Sequence, residues 1–117
     1  FFDKYPNLKM IASHGGAALP YLIGRFEKGD EVEIPERRLM QKKPRDYLQH
    51  IYYDCITYDP RALNYLISIV GSKQVMFGTD WPHQVYDIEG ALTNTAALTT
   101  NDCEAIRYLN AEKVFGL

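Results

Sequence analysis

The stretch QVMFGTDWPH, residues 74–83, decides the fold. Val75, Met76 and Phe77 are apolar strand formers, and Gly78 and Thr79 are small. The run then stops on Asp80, with Trp81 and Pro82 directly behind it. A carboxylate at the end of a buried strand is costly unless a cation or several hydrogen bonds meet it. Polar groups collect in this way at the carboxyl ends of strands in parallel α/β sheets, where ligands bind.

Two further apolar runs read as strands, LKMIA (residues 8–12) and IYYDCIT (residues 51–57). Helical patterns separate the three. LPYLIGRF (residues 19–26) is a short amphipathic helix with Pro20 near its start. DPRALNYLISIVG places Asp59 as the N-cap, Pro60 at the first helical position and Gly71 past the end. Its Leu63, Leu66, Ile67 and Val70 fall at helical spacing. After Asp80 the chain turns helical again, with Asn101-Asp102 expected to cap CEAIRYL and a last turn over residues 111–115 ending at Gly116. Strands alternating with helices predict a parallel sheet covered on its faces, with right-handed crossovers. A mixed-charge stretch with two prolines, around residues 28–50, reads as a surface insertion carrying short helical pieces. It serves either as a solvated connector or as a lid or partner surface.

The chain has 117 residues, 46% of them apolar, which suits one domain or part of one. Thirteen basic and 15 acidic residues give a net charge of −2, which argues against a nucleic-acid or anionic-membrane partner. No apolar run reaches the roughly 20 residues of a membrane span. Cys55 and Cys103 lack metal-type spacing and read as reduced thiols of a cytoplasmic protein. The opening FFDKYPN looks like the end of a helix turning into a strand. The expectation is a fragment whose beginning is absent, with processing as the alternative.

The strand ends hold the candidate chemistry. The first strand runs into Ser13 and His14, followed by Gly15 and Gly16. The second runs into Thr57, Tyr58 and Asp59, and the third into Asp80 and His83. His14 has two readings, a hydrogen-bonded histidine at a turn, or a metal ligand or acid–base group working near neutral pH. Asp80 either caps the following turn or binds a cation. His83 reads as a rim residue or a ligand, His50 as a surface residue, and Trp81 as packing or a pocket wall. Arg25 either pairs with Glu27 or Asp30 or clamps a substrate carboxylate with its planar fork.

LKMIASHGGAALPYLIGRFE, QVMFGTDWPH and the closing AIRYLNAEKVFGL, taken together, resemble the last third of an amidohydrolase-related (amidohydrolase 2) enzyme of the aminocarboxymuconate-semialdehyde decarboxylase-like branch. The resemblance covers essentially the whole chain. It implies an α/β fold, the C-terminal part of a (β/α)8 barrel, with residues 1–117 supplying its last three parallel strands and their helices. Such a barrel needs roughly 250 residues. It also implies a divalent metal, usually zinc with manganese possible. His14 is implied as the active-site histidine that activates a metal-bound water. Asp80 is implied as the acid that contacts the metal and handles a proton. Arg25 is implied as an arginine that reaches a substrate carboxylate, in some relatives across a dimer interface. Trp81 and His83, from their place after the third strand, are expected on the substrate side. Ala17 stands where many relatives carry a third glycine.

The expected activity is hydrolysis or decarboxylation of a small unsaturated or aromatic carboxylate, in a homo-oligomer, with a lean toward decarboxylation. The family's His-x-His metal pair is absent; the histidines are His14, His50 and His83. The alternative is a catalytically inactive barrel fragment or a binding and assembly module.

Overall fold

The computed structural model describes residues 1–32 and 39–117. Part of the charged insertion therefore lies outside the described residues. Three short strands, β1 (Met10–Ala12), β2 (Ile51–Asp54) and β3 (Val75–Met76), form a sheet in the order β1-β2-β3. Both pairings are parallel, as the alternating pattern predicts, with Ala12 beside Tyr53 and Asp54 beside Met76.

Helices occupy the connections: α1 (Ile23–Val32), α2 (Pro44–Tyr47), α3 (Pro60–Val70), α4 (Ile88–Ala96), α5 (Thr100–Glu104) and α6 (Asn110–Phe115). α3 begins as predicted, with Asp59 accepting from the Arg61 N–H, Pro60 in the first turn and Gly71 after the end. Leu63, Leu66 and Val70 line its buried face against Tyr53, Ile51, Val75 and Ile106. Burial pushes the Tyr53 phenol up to about 12, and its hydroxyl donates to the Leu48 carbonyl at 3.3 Å.

Several boundaries differ from the sequence reading: β1 and β2 are shorter than the runs 8–12 and 51–57 that predicted them. The first helix starts at Ile23, because residues 14–22 are spent on turns that reverse the chain after β1. The cap of α5 is Thr99, whose hydroxyl accepts from the Asp102 N–H and donates to the Asp102 carboxylate; Asn101 and Asp102 already lie inside the helix. The charged insertion does contain helical pieces, the second half of α1 and the whole of α2.

The C-terminal segment locks onto β3 through backbone groups. A π-helical turn spans Ala105–Leu109, and the Ile106 carbonyl accepts from the Phe77 N–H at 2.8 Å. The buried Asn110 amide donates to the Ser72 and Val75 carbonyls at 2.8 and 2.6 Å. No helix among the described residues is long and apolar enough to cross a membrane.

Candidate active site

Each strand leads into a non-glycine residue in the left-handed region: His14 (φ 55°) after β1, Tyr58 (φ 55°) after β2 and Asp80 (φ 64°) after β3. With Ala17 (φ 51°), these are all the non-glycine residues at positive φ among the described residues. Such conformations cost on the order of 1–3 kcal/mol each, persist where the surroundings impose them, and cluster at functional sites. Here they mark the carboxyl edge of the sheet.

The turn after β1 is the most constrained. Four residues in succession, His14, Gly15, Gly16 and Ala17, have φ of 55°, 60°, 75° and 51°. Asp54, the last residue of β2, holds this turn from the neighbouring strand. Its Oδ2 accepts from the His14 N–H and its Oδ1 from the Gly15 N–H, both at 2.9 Å. The Ile56 N–H also donates to Oδ1, at 3.0 Å. Asp54 is 9% exposed, so three N–H groups do what water would otherwise do. The glycines are required by space as well. A Cβ on Gly15 would meet Thr57 Cγ2 at 2.8 Å, and one on Gly16 would meet the Tyr53 ring at 2.7 Å. Sequence reasoning passed over Asp54. The signal was an acid inside an otherwise apolar IYYDCIT run, the same kind of anomaly that drew attention to Asp80.

His14, Asp80 and His83 come together, lining one cleft of ≈ 470 Å³ with Gln84 and Val85. The His83 N–H donates to the Asp80 carbonyl at 2.8 Å, closing the turn that returns the ring to the cleft. The Tyr58 hydroxyl donates to Asp80 Oδ2 at 3.1 Å. Desolvation, then the bond to Asp80 and the neighbouring carboxylate charges, raise the Tyr58 phenol above its ordinary value. It therefore stays a donor at neutral pH.

The remaining predicted site residues lie elsewhere. Trp81, joined to Pro82 by a cis peptide bond, is 68% exposed. Arg25 is exposed and lines a separate cavity of ≈ 760 Å³ with Phe1, Phe2, Phe26 and Tyr47. Glu27, one of its expected partners, is instead held by Arg45 through two bonds of 2.9 and 3.0 Å. His50 is half-buried and stacks on Phe2 with ring centroids 5.6 Å apart.

An imidazole beside a carboxylate is a donor pair suited to zinc or manganese. Asp80 Oδ2 is oriented by Tyr58, and no bond to Oδ1 is formed among the described residues. No group of three His, Cys, Asp or Glu side chains among them is placed to hold a metal ion. Asp80 therefore fits as one donor to a metal, short of a full donor set among the described residues.

A model of the amidohydrolase family matches residues 1–117. The chain is 35% identical over 82 residues to the 2-amino-3-carboxymuconate-6-semialdehyde decarboxylase of Dictyostelium discoideum, covering 69% of this chain and 23% of the relative. It is 27% identical to the gamma-resorcylate decarboxylase of a Rhizobium species, covering 99% of this chain and 36% of the relative. A solved structure of dihydroxybenzoic acid decarboxylase from Polaromonas sp. JS666, with bound manganese and the inhibitor 2-nitroresorcinol, superposes with a TM-score of 0.85. Identity there is 28%, over 99% of this chain and 36% of that one. The chain thus spans about a quarter to a third of the length of these relatives.

Proposed function

The chain belongs to the amidohydrolase family, and on that premise we propose that it is the C-terminal third of a (β/α)8-barrel enzyme that decarboxylates a small aromatic or unsaturated carboxylic acid. The observation that carries this reading is the convergence of His14 and Asp80 on one cleft at the carboxyl edge of the sheet. The decarboxylases among its relatives support the reaction class.

A divalent metal, manganese or zinc, would supply a Lewis acid for an oxygen of the substrate. Asp80 is the residue of this chain assigned to hold it, with Tyr58 fixing one carboxylate oxygen. Loss of CO2 breaks a carbon–carbon bond and leaves the electron pair on carbon, so one proton must reach that carbon. Asp80 passes this proton on, and His14 holds and steers it from across the cleft. His83 lines the cleft with them, and Trp81, exposed and outside that cleft, is assigned to the substrate side. Arg25, exposed and on a different cavity, is assigned to a substrate carboxylate across a dimer interface, where its guanidinium fork matches the two oxygens.

The test is carbon dioxide release by the full-length protein from a panel of ortho-hydroxybenzoates and carboxymuconate semialdehydes. Release with manganese or zinc, abolished by chelation, is the expected result. Hydrolysis of an amide or lactone with no carbon dioxide from any acid overturns the reading.

A further inference from the structure

We propose that Asp54 is the positioning residue for His14, setting the direction of the imidazole through the backbone turn that carries it. The inference rests on the role given to His14 above. Three observations support it. The carboxylate bridges two strands whose residues are 39 and 40 apart in sequence, taking the His14 and Gly15 N–H groups on separate oxygens. It is 9% exposed, so water has little access to those oxygens. The turn it holds contains four successive positive φ values, two of them on residues with a Cβ. Left to local preference, His14 and Ala17 return to negative φ, and rotating φ of His14 swings its side chain out of the cleft it shares with Asp80. Two charge-assisted bonds from one rigid acceptor oppose that return.

The Asp54→Asn change is the sharp probe. It keeps the volume but turns one acceptor into an NH2 donor facing an N–H, so one bond becomes a repulsion. In the full-length enzyme, Asp54→Asn lowers kcat by about 10²-fold, the scale of a misplaced catalytic group. KM and metal content stay near wild type. In a His14→Ala background the same change lowers kcat no further, because its effect runs through His14. Adding Ala17→Gly to Asp54→Asn, which removes the cost of positive φ at residue 17, recovers part of the loss.

A crystal structure of Asp54→Asn supplies a readout independent of turnover, with φ of His14 leaving the left-handed region. His14 remaining near its present φ, or an equal loss of kcat with and without His14, overturns the proposal. If neither Asp54→Asn nor its Ala17→Gly double variant folds, Asp54 serves the core and the proposal likewise falls. A wild-type enzyme without decarboxylase activity removes the functional reading instead, and the crystallographic result still decides the positioning claim.

Discussion

Single residues carry most of the functional argument. His14→Ala removes the ring to which proton handling is assigned and is expected to cut kcat by roughly 10²–10⁴-fold with the metal retained. Unchanged turnover in steady-state assays contradicts the role. Tyr58→Phe deletes one hydroxyl whose hydrogen bond ends on Asp80 at 3.1 Å. The bond is solvent-exposed, so its loss hardly moves the melting temperature, while kcat/KM is expected to fall severalfold as Asp80 loses its orienting donor; an equal kcat/KM would detach Tyr58 from the site. His14, Asp80 and His83 were legible in the sequence because each stands after an apolar run, where a polar side chain is anomalous. Asp54 was not, since its partners are backbone N–H groups on another strand and only the register between β1 and β2 reveals them. Nor was the placement of Arg25: a spacing of eleven residues from His14 does not say which cavity the guanidinium faces.

Elements show which local signals survive folding. Asp59, Pro60 and Gly71 punctuate α3 as the sequence predicts, because all three signals act on the chain's own backbone. Asp59 also has a pKa lowered to about 2, chiefly by hydrogen bonds from Arg61. A depressed carboxylate stabilises the fold above its unfolded pKa and loses that contribution as pH falls through the folded value. Acid titration followed by circular dichroism should therefore show α3 weakening between about pH 4 and pH 2, less so in Asp59→Asn. The π turn at Ala105–Leu109 was invisible in CEAIRYL, which reads as ordinary helix before a last turn over residues 111–115; the contact that accompanies it is tertiary, the Phe77 N–H on the Ile106 carbonyl. Asn110→Ala strips the Ser72 and Val75 carbonyls of their buried donor and is expected to destabilise by about 2–4 kcal/mol in denaturant melts. A loss below about 0.5 kcal/mol would mean that water replaces the amide there.

At the scale of the whole molecule, the parallel sheet was legible from the order of elements, whereas the extended shape was not read from the sequence. The radius of gyration is 15.5 Å, against about 13 Å for a compact domain of this size. Met10 and Ile11 on β1 are both exposed although they point to opposite faces, and Phe1, Tyr5 and Leu8 add apolar surface nearby. A strand with a free edge and two apolar faces seeks partners. The 117-residue chain by itself is therefore expected to elute from a sizing column as associated species, and a sharp monomer peak contradicts the barrel reading. The central claim is that Asp80 holds a divalent metal for chemistry in the cleft it shares with His14. Its most direct test is elemental analysis of the dialysed full-length protein, wild type against Asp80→Asn. About one manganese or zinc per wild-type chain and a severalfold lower content in the variant are expected; equal metal in both would mean that Asp80 does not hold it.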